Sequence, residues 1–192
     1  MKHWISVCVS AGLLCAAIPT QAATVAKAST IETAGTGVAI ALPLVAGGIA
    51  AWKDDWTGVK QLTAVTVLTV GTVYVMKHFV RECRPFAKPC SHNSPDWDSF
   101  PSDTSALAFA PAGFLWGRYG WQYGLPAYAA AEFVGYSRVD AKKHHFWDVL
   151  ASGAISLGYN QLVTTRYHPH RNFSTSLEAT PDGVYASLNY RW

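Results

Sequence analysis

Seven residues have types and spacings that point to chemistry: Lys77, Arg84, Ser102, Asp103, Arg138, His144 and Asp148. Lys77 and Arg84 are seven positions apart. On one continuous helix they would share a face, two turns apart. Two cations there repel each other unless an anion lies between them. Alone, the pair reads as a solvated basic helix end favoured by the dipole, and Arg81 fits that bland description. Ser102 is suited to cap a helix, whose first N–H groups point outward and make an anion site. Alone this too is weak, because many helices begin Pro-Ser-Asp and bind nothing. His144 and Asp148 are spaced i, i+4. Asp148 can accept from one ring nitrogen and fix the tautomer, which frees the other to attack. Such a pair is more often an ordinary contact, and only the spacing to Asp148 favours His144 over His145. Arg138 adds a planar donor fork. A tetrahedral phosphate is the ligand that uses all of these groups at once.

The three stretches that hold them are Lys77 to Pro85, Phe100 to Thr104 and Ser137 to Asp148. Together, Lys-x6-Arg-Pro, Pro-Ser-Asp and Ser-Arg-x5-His-x3-Asp resemble the three-part signature of the type 2 phosphatidic acid phosphatase superfamily. That family also includes bacterial class A acid phosphatases and vanadium haloperoxidases. The resemblance spans about residues 56–165. It implies an all-α helical bundle. It implies that Lys77, Arg84 and Arg138 hold phosphate oxygens, with Ser102 and the backbone N–H of Asp103 completing the cradle. His144 would be the nucleophile that becomes phosphorylated, and Asp148 would orient it. It implies no metal and no other cofactor, since three cations neutralise the charge that develops.

The second stretch departs from the family. Thr104 stands where the family has the His that protonates the leaving oxygen. A Thr hydroxyl is far too weak an acid for that task. Three explanations are open. The leaving group is itself a phosphate, as in a lipid diphosphate, and needs no acid (phosphate pKa about 6). Or Asp103, His92 or His145 substitutes. Or the site binds phosphate with little or no turnover. The missing His also argues against haloperoxidase activity.

The rest of the chain must position these groups. Its 192 residues can build one substantial core. Half of them are hydrophobic and 14% are charged, which is rich for a soluble protein and lean for a polytopic membrane protein. A net charge of +3 without a basic, aromatic-laced run gives no argument for nucleic acid. Residues 1–23 read as a secretory signal: Lys2 and His3, an apolar run from Trp4 to Ala17, Pro19, then small residues. An uncleaved anchor is the alternative. Export would bring Cys83 and Cys90 to an oxidising compartment, where a disulfide is expected to brace the turn after Arg84.

Helices are expected over about 37–52, 56–83, 103–116, 125–136 and 145–167, in a domain spanning 24–170. Asp54 or Asp55 should cap the second, and Arg84-Pro85 should end it. The uncharged stretch from Thr33 to Trp52 is just long enough to cross a bilayer. Pro85 to Pro101 reads as a loop long enough to be functional. Residues 171–192 alternate around Thr180-Pro181-Asp182-Gly183 and predict a β-hairpin. It would cover the helical core or pair with a second copy in a homo-oligomer; a barrel strand is the remote alternative.

The sequence therefore predicts a periplasmic, membrane-associated hydrolase, at the inner rather than the outer membrane. It would act on a lipid-linked phosphate or diphosphate through a phosphohistidine. The alternative is a catalytically impaired phosphate binder in envelope or polysaccharide biogenesis.

Overall fold

A computed structural model describes residues 30–87, 90, 95–168, 173–180 and 183–190. The expected signal segment and His92 lie outside the described residues. Among the described residues the fold is a bundle of five α-helices followed by a two-stranded antiparallel hairpin. The helices are α1 (Thr30–Trp52), α2 (Trp56–Val80), α3 (Asp103–Tyr119), α4 (Trp121–Asp140) and α5 (Phe146–Val163). The strands are β1 (Phe173–Thr180) and β2 (Gly183–Tyr190), in a register from Phe173 opposite Tyr190 to Thr180 opposite Gly183.

Helix α3 is the centre of the bundle. Ala106, Ala108, Phe109, Ala110, Ala112, Phe114 and Leu115 are all buried, so it is enclosed nearly all round. The other helices bury single stripes against this core. On α1 the stripe is Gly35, Ala39, Leu42, Ala46 and Ala50, small residues that allow close approach. On α2 it is Leu62, Val65, Thr69, Val73 and finally Lys77. The apolar stripe thus ends by delivering a buried ammonium to one end of the bundle. The stripe of α5 is mostly polar: Asp148, Val149, Ser152, Ser156 and Asn160. The serines and Asn160 are satisfied locally, whereas Asp148 keeps one carboxylate oxygen without a hydrogen bond. Ser152 Oγ donates to the Ser102 carbonyl at 2.7 Å, and Asn160 Nδ2 donates to the Ala110 carbonyl at 3.2 Å.

Because the helices run up and down, five helix ends meet at one end of the bundle. They are the starts of α1, α3 and α5 and the ends of α2 and α4. The opposite end is tied by a buried ion pair. Asp55 caps α2, accepting from Gly58 N–H at 2.8 Å. Arg118 of α3 grips the same carboxylate with Nε at 2.7 Å and Nη2 at 2.5 Å, and Tyr119 Oη donates to it at 2.8 Å. Arg118 Nη1 also donates to the Thr165 carbonyl at 2.8 Å, which fastens the segment after α5.

Several boundaries differ from the sequence reading, for local reasons. Helix α2 stops at Val80, where Arg81 turns left-handed at φ 51° and its N–H closes on the Lys77 carbonyl. Lys77 and Arg84 therefore do not share a helix face; Arg84 lies beyond the helix. The gap expected between helices over 103–116 and 125–136 shrinks to the single residue Gly120, whose φ of 94° lets α3 run directly into α4. Helix α5 ends at Val163, and residues 164–168 follow without regular secondary structure, tied to Arg118 through Thr165 and Tyr167. The hairpin strands pair with each other and, among the described residues, do not pack on the helices. The expectation that the hairpin covers the core is therefore not met.

The outer faces of α1 and α2 expose Ile40, Leu44, Val45, Val67, Leu68 and Val75. Both helices are long and apolar enough to cross a membrane. Aromatic residues stand exposed at the two ends: Trp52, Trp56 and Trp121 at one, Phe79, Phe146 and Trp147 at the other.

Candidate active site

The convergence of helix ends brings together the residues singled out in the sequence. Lys77 supplies its ammonium from the last turn of α2, buried, with Nζ donating to the Asp98 carbonyl at 2.7 Å. Arg84 comes from the loop beyond. Its Nε and Nη2 meet the Asp98 carboxylate at 2.8 and 3.0 Å, a bidentate fork. Burial pushes the Asp98 carboxyl up, but Arg84, beside it, more than offsets this and holds it below the usual carboxylate range. The Arg84 backbone is braced as well. Its N–H donates to the Asp96 carbonyl at 3.0 Å, and the neighbouring Cys83 is disulfide-bonded to Cys90.

Ser102 caps α3, accepting from Ser105 N–H at 3.3 Å, and its own hydroxyl donates to Ser105 Oγ at 2.9 Å. Asp103 follows at the first helical position. Its Oδ1 accepts from Thr104 N–H at 2.9 Å and lies 4.0 Å from Lys77 Nζ and 3.9 Å from His144 Nε2. That carboxylate oxygen stands where the ammonium, the imidazole and the helix N-terminus all point, as an oxygen of a bound phosphate would.

Arg138 is buried at the end of α4. Its Nη2 donates to the Glu32 carbonyl at 2.6 Å, its Nε donates to Ser137 Oγ at 3.2 Å, and Nη1 lies 3.9 Å from Glu32 Oε1. The start of α1 is wedged against this arginine. Gly35 faces Ser137 so closely that a Cβ would sit 1.9 Å from Ser137 Oγ.

His144 is only 2% exposed and precedes α5. Its Nδ1 lies 2.8 Å from the Ser99 carbonyl and 3.4 Å from Asp148 Oδ2. A carbonyl can only accept, so Nδ1 carries the proton and Nε2 presents its lone pair toward Asp103. Asp148 stands behind this contact. Its Oδ2 accepts from Ser99 Oγ at 2.5 Å and from His145 N–H at 2.8 Å. Burial pushes the Asp148 carboxyl up, yet His144, Ser99 and the His145 N–H together hold it below its ordinary value. His145 turns its Nδ1 toward Glu82 and Asp148, at 3.3 and 3.6 Å. Glu82, His145 and Asp148 hold three possible metal-ligand atoms within 4.8 Å of one another. Asp148 Oδ2 in that group already serves Ser99 and the start of α5, so the cluster reads as part of the support behind His144.

Three residues of the site were missed in the sequence. Ser99 is one of many loop serines, and no spacing marks it. Asp98 sits in the same loop beside Asp96 without a distinguishing pattern. Glu32 did leave a signal: it is the lone acid between the N-terminus and Asp54.

Comparisons with known proteins match the part of the chain that carries these residues. A "Lipid A 4'-phosphatase" of Helicobacter pylori (strain J99 / ATCC 700824) is 34% identical over 137 residues, covering 68% of each chain. No solved structure matches the chain. Residues 58–171 match the PAP2 superfamily. That span contains Lys77, Arg84, Ser102, Arg138, His144 and Asp148, the groups that converge at the helix ends, and the chain belongs to this superfamily.

Proposed function

We propose that the chain is a membrane-associated phosphatase of the bacterial envelope that removes phosphate from a lipid-linked phosphate or diphosphate. The observation that carries this reading is the meeting of Lys77 Nζ, His144 Nε2 and the start of α3 at Asp103 Oδ1, with Arg84 and Arg138 close enough to feel that carboxylate's charge. Three cations and a helix N-terminus favour a multiply charged tetrahedral anion over a carboxylate. The exposed apolar faces of α1 and α2, and the lipid named for the relative, favour a lipid substrate at a membrane.

In this mechanism the cations hold the phosphoryl oxygens and neutralise the charge that spreads over them in transfer. The Ser99 carbonyl holds the proton on Nδ1, so Nε2 attacks phosphorus while the bridging P–O bond breaks and its electron pair leaves with the oxygen, as phosphate from a diphosphate or, with a proton taken from solvent, as an alcohol from a monoester. Asp148, fixed by Ser99 and the first turn of α5, stabilises the positive charge that grows on the ring. The cationic phosphohistidine is then hydrolysed by water, which returns His144 and releases phosphate. The acidic residues at Arg84 and Arg138 keep those cations oriented when no phosphate is bound.

The test is phosphate release by the purified chain in detergent from three lipids: a polyprenyl diphosphate, a phosphatidic acid and a lipid A 4'-phosphate. Each is assayed beside His144→Ala. Release that disappears in His144→Ala supports the reading. Preference for the diphosphate would attribute the loss of the family His to a leaving group that needs no proton. Absence of release from all three defeats the phosphatase reading. Phosphate binding retained without release would favour the second reading, a non-catalytic phosphate binder, which Thr104 at the family's acid position supports.

A further inference from the structure

Thr104 leaves a vacancy in the chemistry, because some group must accept a proton from the water that hydrolyses the phosphohistidine. We infer that the Asp103 carboxylate is that base, an assignment that rests on the phosphohistidine reading of the site. Three observations carry it. Asp103 Oδ1 lies 3.9 Å from Nε2, the atom that would bear the phosphoryl group. It is next to Thr104, so it enters the site from the same helix start. It is also 53% exposed, so water reaches it and a proton can leave from it.

The other candidates are placed less well. His145 aims Nδ1 at Glu82 and Asp148, away from Nε2. Asp98 is committed to both donors of the Arg84 fork. Asp148 is buried behind the ring on the Nδ1 side. Among the described residues, the Asp103 side chain accepts one short hydrogen bond, from Thr104 N–H at 2.9 Å, and its ion-pair contacts with Lys77 and His144 are long, at 4.0 and 3.9 Å. Its side chain therefore swings aside when a phosphoryl group takes its place. With its side chain 53% exposed, it has solvent beside it to turn toward.

The step balances without any further reagent. The water oxygen attacks phosphorus on the face opposite Nε2. As the new P–O bond forms, the P–Nε2 bond breaks and its electron pair returns to Nε2. The proton of the water passes to the Asp103 carboxylate and from there to solvent, and inorganic phosphate departs. Bases positioned in this way typically contribute roughly 10²–10⁴ in rate.

The experiment measures both half-reactions with a phosphorus-labelled lipid diphosphate, using the full chain in detergent. Labelled protein is trapped by rapid quench and turnover is followed in parallel, for the parent, Asp103→Asn, and Asp103→Asn combined with Thr104→His. Asp103→Asn is expected to label at a rate near the parent's, to accumulate phosphoenzyme and to turn over about 10²-fold more slowly. Adding Thr104→His, which restores the family's own acid–base group, is expected to clear the accumulated label. A fold or cradle defect would abolish labelling instead, so accumulation separates a base from a structural role. If Asp103→Asn turns over at the parent's rate, or loses labelling, the assignment is overturned while the phosphohistidine reading stands. If the parent itself turns over without labelling His144, the phosphohistidine reading fails first, and this inference with it.

Discussion

Glu32 and Arg138, 106 residues apart, are joined at the edge of the proposed phosphate cradle. The Glu32 carbonyl accepts from Nη2 at 2.6 Å, and its carboxylate lies 3.9 Å from Nη1 and 3.0 Å from Lys143 Nζ. A negative charge beside a cation that is to bind phosphate would compete with that phosphate. Glu32→Gln keeps the backbone contact and removes the charge. It should make inorganic phosphate a tighter competitive inhibitor, by roughly three- to tenfold, well below the unscreened Coulomb limit at this distance. Lys143→Met should weaken inhibition instead. Equal inhibition constants in parent and Glu32→Gln would show that the carboxylate does not oppose the ligand.

Ser99 links His144 to Asp148, with its carbonyl on Nδ1 and its hydroxyl on Oδ2. Ser99→Ala keeps the first bond and removes the second. A hydrogen bond to a charged group contributes about 1.5–3 kcal/mol, so turnover should fall by about tenfold or more. The hydroxyl is one of the groups holding Asp148 below the ordinary carboxyl range. Without it the Asp148 pKa rises, and the acid limb of the kcat/KM profile should move to higher pH. A pH–rate series on both proteins checks this; an unmoved acid limb would refute it.

Arg118 and Asp55 fasten the end of the bundle opposite the site. Both are almost fully buried. Removing one partner strands the other charge, at about 3–5 kcal/mol. Arg118→Met should therefore lower the unfolding free energy by that order, read from denaturant or thermal melts in detergent. Burial pushes the Asp55 carboxyl up, but hydrogen bonds from Arg118, Gly58 N–H and Tyr119 bring it below its ordinary value. Because the folded pKa is the lower one, this stabilisation is complete above the unfolded pKa of about 3.9. It is lost as pH falls from there through the folded pKa. Melts at neutral and strongly acid pH should show a steeper loss for the parent than for Arg118→Met.

The disulfide between Cys83 and Cys90 closes a short loop beside Arg84, with a sequence separation of seven. Loop-closure entropy for such a ring is about 2–3 kcal/mol. Cys83→Ser with Cys90→Ser should lower stability by up to that amount. It should also raise KM more than it lowers kcat, since the freed backbone carries Arg84, which is proposed to hold phosphate. Matched kinetics in oxidised and reduced parent would count against this role.

The sequence alone determined the types of group the site contains and the periodicity that makes the fold helical. Cations, a capping serine and the His–Asp pair are local signatures, readable because their chemistry depends on residue type and short spacing. The hairpin was legible for the same reason, since alternation and a turn segment are local. Helix ends were less so. The left-handed Arg81 and the single-residue pivot at Gly120 depend on how the helices close on one another. Only the tertiary structure decided which groups oppose the cradle. Glu32, Asp98 and Ser99 reach it through packing between segments far apart or within an irregular loop. Their roles follow from distances of 2.5–3.0 Å that no pattern encodes. Tertiary packing also placed Arg84 beyond α2 rather than on its face, and gave Nδ1 of His144 a carbonyl partner nearer than Asp148. A spacing in sequence sets which residues can meet; the backbone path between them sets which acceptor lies closest.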